Sequence, residues 1–190
     1  MIDHKNKFIF IHCHKCAGES IQKSLTGSVD RGFKNDKYEG SPQKHWSACD
    51  YRKHCGDSVW NNYFKFSFIR NPWDRIISWV SYRNKRQNRQ NAQILEKDII
   101  NLLQNPYVQK SSYVNMLGLN RGLSVDFIGR FERLNQDFQE LSNILFKKQI
   151  ELPHCNKSSR KGYQDYYTES AKELVEETFK EDIKTFNFKY

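Results

Sequence analysis

The sequence predicts an α/β fold, a mainly parallel sheet flanked by helices, and three observations carry that prediction. Short apolar runs that read as strands are each followed by helical periodicity. The first of these runs is continuously apolar, as in a strand covered on both faces, which favours parallel neighbours. With 190 residues, 37% hydrophobic and 14% aromatic, the chain can fill one core, so a single domain over residues 1–190 is expected. In such a sheet, ligands bind outside the carboxyl ends of the strands.

The first strand covers residues 7–12, Lys-Phe-Ile-Phe-Ile-His. Cys13-His14-Lys15-Cys16-Ala17-Gly18-Glu19-Ser20 follows, and Ala17, Ile21 and Leu25 are spaced as one helix face, so the unit reads strand, loop, helix. Gly27, Gly32 and Gly40-Ser41-Pro42 punctuate a stretch expected to be loop-rich up to the next apolar run. There Phe64, Phe66 and Phe68 alternate along a second strand, 63–69, and Asn71-Pro72 supplies a cap and a first helical residue. Trp73, Ile76, Ile77 and Val80 make the apolar face of that helix, with Asp74, Arg75 and Ser78 expected elsewhere on it. Ile94, Leu95, Ile99, Leu102 and Leu103 predict a helix stopped near Pro106, and residues 125–130 read as a third strand. Phe138, Leu141 and Leu145 mark the next helix. Ser170 and Glu173 read as a capping box ahead of a C-terminal helix carrying Val175, Phe179, Ile183 and Phe186.

Thirty-one Lys and Arg against 22 Asp and Glu leave a net charge of +9, which fits an anionic partner: nucleic acid, a nucleotide or an acidic glycan. No apolar run is long enough to span a bilayer, and the first is too short for a signal-peptide core, so neither a membrane span nor export is expected. Five cysteines, an odd number, then read as reduced thiols, and a cytoplasmic location is expected.

Lys15, Gly18 and Ser20 at a helix start place a cation, backbone N–H groups and a hydroxyl around one point, a P-loop-like, anion-binding arrangement. The nucleoside-triphosphatase pattern puts its Lys after the second of two glycines; here the Lys precedes the only Gly, which disfavours that class. Residues 8–21 resemble the 5′-phosphosulfate loop of sulfotransferases that use 3′-phosphoadenosine 5′-phosphosulfate (PAPS), usually Pro-Lys-Thr-Ala-Gly-Thr-Ser. Phe66-Ser67-Phe68-Ile69-Arg70-Asn71-Pro72-Trp73-Asp74-Arg75-Ile76-Ile77-Ser78-Trp79 is similar to the same family's 3′-phosphate motif. Residues 127–132, 152–158 and 166–168 resemble later motifs of its carbohydrate-type, heparan sulfate 2-O-sulfotransferase-like branch.

The resemblance implies transfer of a sulfuryl group from PAPS to a hydroxyl, on a carbohydrate, without a metal. Lys15 would stabilise charge on the bridging oxygen of the phosphosulfate. Cys16, Ala17, Gly18, Glu19 and Ser20 would hold the 5′-phosphate, Gly18 by allowing close approach, and Arg70 with Ser78 would grip the 3′-phosphate. Lys157, Ser158 and Arg160 fall where the family closes a basic loop over the nucleotide. His45, in a His-x-x-Ala segment, would be the base that takes the acceptor proton, with His54, His154 and Glu19 as rivals. Three departures stand out: His14 replaces Pro, Cys16 replaces Thr, and Glu19 puts a carboxylate where a hydroxyl is usual. A carboxylate opposes phosphate binding unless it points away, toward Lys15 or toward the acceptor.

Other classes fit less well. His12, Cys13, His14 and Cys16 crowd potential zinc ligands, with Cys49, His54, Cys55, His154 and Cys155 elsewhere, but no second C-x-x-C exists. The basic tract 83–91, near Tyr82 and Trp79, could serve a nucleic-acid-binding module, although nucleic acid is not the expected partner. A kinase-like phosphoryl transferase would need metal-holding carboxylates that the sequence does not display.

Overall fold

The computed structural model describes residues 1–27, 45–89, 92–152 and 161–190, and these divide into two compact units. The first comprises residues 1–69 and 115–155, the second residues 70–114 and 156–190.

The first unit holds the sheet. Among the described residues it has four strands in the order β1 (Ile2–Asp3), β2 (Phe8–Ile11), β3 (Phe64–Ile69) and β4 (Phe127–Arg130). β2, β3 and β4 are parallel, with Ile11 opposite Ser67 and Ile69 opposite Arg130. Helices α1 (Gly18–Thr26), α2 (Ala48–Asn62) and α7 (Leu134–Phe146) belong to the same unit. The α/β prediction with a mainly parallel sheet therefore holds. β1, paired antiparallel with β2, was not expected, because its two residues are too few to show a period.

All four residues of β2 are buried, as its unbroken apolar run requires. β3 read as a strand along which Phe64, Phe66 and Phe68 alternate, and the polar residues between them are buried: Lys65 is 6% exposed and Ser67 0%. Lys65 Nζ lies 2.9 Å from Asp126 Oδ2 and donates to the carbonyls of Tyr63 and Trp60; Ser67 Oγ donates to Ile11 O at 2.7 Å. A central strand is covered on both faces, so polar residues there must carry their own partners.

α2 corrects the expectation of a loop up to the second strand. Ser47 and Asp50 form its capping box, and Gly56, at φ 78° and ψ 164°, breaks its course. That break and the sparse apolar residues hide the helical period from the sequence.

In the second unit, α3 (Pro72–Arg86) begins as predicted: Asn71 Oδ1 accepts from Trp73 N–H at 3.1 Å and Pro72 stands in the first turn. Trp73, Ile76, Ile77 and Val80 are buried, but so is Arg75, which was expected off the apolar face and is 0% exposed. Its guanidinium stacks on Tyr113 at 4.3 Å and Phe179 at 4.4 Å, donates to Ser111 O at 2.9 Å, and faces Asp182 at 4.0 Å. α4 (Glu96–Leu103) ends before Pro106 as expected. Pro106 then starts α5 (Pro106–Gln109), capped by Asn105, and α6 (Tyr113–Met116) follows where the chain passes back to the first unit. The single C-terminal helix is two, α8 (Glu169–Thr178) and α9 (Lys180–Phe186). The expected Ser170–Glu173 box is not the cap. Thr168 Oγ1 accepts from Ala171 N–H, while Ser170 Oγ donates to Glu96. Among the described residues no helix is long and apolar enough to cross a membrane.

Candidate functional site

β2 ends at Ile11, and residues 12–17 lead from it to α1. This loop turns through two residues at positive φ, Lys15 at 63° and Ala17 at 58°, a backbone course that gathers successive N–H groups into an anion-binding concavity. Ala17 occupies the N-cap of α1, and its methyl group offers none of the usual side-chain capping. Lys15, Glu19 and Ser20 are half-buried around this helix start. Cys16 is buried, and its thiol donates to His14 O at 3.2 Å, so the group standing for the family's hydroxyl faces into the loop and can offer a ligand only its backbone.

Gly18 was expected to make room for phosphate. The structure shows a steric reason for it: a Cβ there would lie 1.9 Å from Nε2 of His12, whose ring packs over this position. His12 in turn stacks on Phe10 at 5.4 Å, and Phe10 on Phe66 at 5.0 Å, so a column of rings rises from the sheet to the loop.

His45 completes that column. Its ring stacks on His14 at 3.7 Å and meets His12 at 4.6 Å, and its Nδ1 lies 2.9 Å from His12 O. A carbonyl only accepts, so neutral His45 carries its proton on Nδ1, which makes Nε2 the nitrogen able to take a proton. Thus His45, predicted from a loop segment, comes onto the same loop as Lys15. That His12 and His14 would hold it was not legible in the spacing. His54 is exposed with its ring against Trp46, whereas His154 lies outside the described residues. Among the described residues no group of three or more His, Cys, Asp or Glu side chains is arranged to hold a metal ion. Cys13 lies 3.3 Å from Ser67 Oγ.

Arg70, in the second unit, follows β3 directly. It is 6% exposed, and its Nε donates to Asp74 Oδ2 at 2.6 Å. Its backbone is fixed by Tyr113, whose hydroxyl accepts from Arg70 N–H at 3.0 Å and donates to Arg70 O at 2.8 Å. Asp74 and Ser78 are four apart on α3 and share a face, so the carboxylate that holds Arg70 and the half-buried Ser78 lie along one stripe. Asp74 is the residue the sequence reading missed; its i, i+4 spacing from Arg70 is the signal that could have found it. Lys157, Ser158 and Arg160 lie outside the described residues.

The donor set fits a phosphate-bearing ligand in each unit: a helix start with an alanine at its cap and an ammonium beside it in one, a guanidinium and a hydroxyl in the other. Residues 1–189 match the family described as the Sulfotransferase family. No curated protein and no solved structure matches the chain.

Proposed function

This chain belongs to the sulfotransferase family, and from that premise we propose that it moves a sulfuryl group from PAPS to a hydroxyl on a carbohydrate acceptor, as in the family's carbohydrate-type branch. The observation that carries the reading is the β2–α1 turn: positive φ at Lys15 and Ala17, an alanine N-cap, and His45 on the same loop. PAPS, when bound, supplies an activated sulfuryl group attached to a phosphate leaving group.

The chain's own residues do the rest. The first N–H groups of α1 and the Ser20 hydroxyl bind the 5′-phosphate, aided by the positive end of the helix. Lys15 holds the negative charge that develops beside them, and the αL turn fixes the backbone from which its side chain reaches. Arg70 and Ser78 bind the 3′-phosphate, with Asp74 orienting the guanidinium. His45 takes the acceptor's proton at Nε2 while Nδ1 stays on the His12 carbonyl.

The test is calorimetric titration with 3′-phosphoadenosine 5′-phosphate. Micromolar binding that persists in a chelator supports the reading, and absence of binding to the folded chain refutes it.

A further inference from the structure

A cavity of about 480 Å³ opens beside α2 in the first unit, lined by Arg52, Lys53 and Asp57 of that helix and by Arg121, with Cys49 and Leu123 as its apolar part. We propose that this cavity is a second anion site, which takes a carboxylate or sulfate ester carried on a sugar-sized carbon skeleton. As a part of acceptor recognition it rests on the function proposed above.

Charge is the first argument. Three cations face one carboxylate, and Asp57 is already engaged by Arg52, whose Nε–H donates to it at 2.7 Å. That contact pulls the Asp57 carboxyl below its usual range, so it stays ionised and the lining carries a net excess of two positive charges. Among the described residues, Lys53 and Arg121 have no ion-pair partner. Cations gathered around a concavity repel one another, and an anion seated there relieves that repulsion.

Shape is the second. The cavity is within the range of small-molecule sites, roughly 300–1,000 Å³, and far larger than a bare inorganic ion needs. Its apolar part suits a carbon frame. Backbone geometry fixes its walls: Gly56 interrupts α2 beside it, and Arg121 ends a 3₁₀ turn, Leu119–Arg121, bracketed by Gly118 at φ 67° and Gly122 at φ 71°. A Cβ on Gly118 would come within 2.8 Å of Leu123 and 3.3 Å of the Cys49 thiol, so the turn can approach α2 this closely only with glycine there.

Position is the third. α2 is capped by Ser47, two residues after His45, and Lys53 lies about 9 Å farther along the helix axis. One helix therefore links the proposed base to the cationic cavity. An acceptor with its reacting hydroxyl at His45 and an acidic group one or two sugar lengths away would engage both.

The experiment is an NMR titration of the whole chain with glucuronate, glucose 6-sulfate and neutral glucose, repeated on Lys53→Gln/Arg121→Gln and on Lys15→Ala. The expected result is that at least one acidic sugar shifts the amide signals of residues 52–57 and 118–123 while glucose does not. The double variant weakens that response tenfold or more with unchanged thermal stability, and Lys15→Ala leaves it intact. An equal response to glucose, no response to either acidic sugar, or a response that survives the double variant overturns the site. The parallel titration with 3′-phosphoadenosine 5′-phosphate separates the two readings: a chain that binds the nucleotide but no acidic sugar lacks this site. A chain that binds the acidic sugar here but not the nucleotide keeps the site and loses the sulfotransferase reading.

Discussion

Two strand-to-helix junctions in this chain are built in opposite ways. After β3 only Arg70 and Asn71 intervene; Asn71 accepts the Trp73 N–H, Pro72 has no N–H to satisfy, and α3 starts complete within its own sequence. After β2, residues 12–17 intervene, two of them are held at positive φ, and the cap position is an alanine. A good cap is worth about 1 kcal/mol, and an L-residue in the left-handed region costs roughly 1–2 kcal/mol. The first helix forgoes the former and bears the latter twice. A helix start that is strained and lacks a capping side chain is poorly explained by stability, and an anion at this turn is what the proposed function supplies. In the proposed function the capped junction would contribute through Arg70, a side chain placed just before the cap, instead of through its backbone.

This contrast breaks first at His45. Replacing it with Ala should lower turnover by roughly 10² to 10⁴ and abolish any limb on which the rate rises with pH. A pH–rate profile decides it. A variant that keeps most activity and the same limb, together with a folded, nucleotide-binding but inactive Glu19→Gln protein, transfers the role to Glu19.

The capped side has its own anchor one turn along. Asp182→Ala leaves the buried Arg75 without its counter-charge and removes the acceptor of the Tyr113 and Val114 N–H groups, so unfolding free energy should fall by about 3–5 kcal/mol in a denaturant titration. Burial raises the Asp182 carboxyl above its usual range despite the opposing pull of Arg75 and the two N–H groups. A raised folded value means that this group's contribution is fully present below the ordinary carboxylate range and is lost as pH rises through the folded value. Asp182→Asn should therefore flatten stability against pH in that acid window. A loss below 1 kcal/mol for the Ala variant would mean that Arg75 is held by its aromatic neighbours and Ser111 alone.

On the uncapped side, Lys15→Ala should lower turnover by roughly 10² to 10³, about 2.7–4 kcal/mol, with little change in nucleotide affinity, because its contact strengthens only as charge develops. Equal losses in both, read from single-turnover rates and titration, would make Lys15 a simple anchor.

The same contrast explains what the sequence made legible. β2, β3 and β4, α3 with its Asn71-Pro72 start and the Lys15 loop were readable because each is specified locally, by a run, a cap or a motif. Arg75 was misplaced, and the burial of Lys65 and Ser67 went unread, because periodicity records polarity and not partnership: each is buried beside a group distant in sequence, Asp182, Asp126 and the Ile11 carbonyl. The His12–His14–His45 stack was hidden for the same reason, since it joins residues more than thirty positions apart. Ser170 failed as a cap because Thr168, two residues earlier, takes the N–H, a competition between hydroxyls that spacing alone does not rank.

A smaller effect sharpens the second unit's share in binding. Arg70→Ala should weaken a 3′-phosphorylated nucleotide by roughly 1.5–3 kcal/mol, Ser78→Ala by less, and neither should alter a nucleotide lacking that phosphate. If both ligands lose alike, Arg70 reads another part of the nucleotide or serves only Asp74.

The smallest effects test the comparison itself. Asn71→Ala removes the α3 cap and also the bond from Asn71 Nδ2 to Lys189 O at 2.7 Å, so it should destabilise by about 1–2 kcal/mol, the upper part of the usual capping range. Nucleotide affinity should stay within twofold, because that junction's N–H groups are satisfied by the chain. Ala17→Gly should do the reverse of harm to the fold. Relief of the left-handed alanine opposes the extra freedom that glycine gives the unfolded chain, and the two nearly cancel, so the melting temperature should hold or rise slightly. Its consequence belongs to binding instead: a loop no longer held by a side chain at this position must be ordered by the ligand, and affinity for the 5′-phosphate should fall modestly at constant stability. Thermal melts and titrations on the same two proteins read all four quantities. Asn71→Ala weakening the nucleotide while Ala17→Gly destabilises the fold would invert the assignment of the two junctions, making the capped one the ligand cradle and the strained one a structural turn.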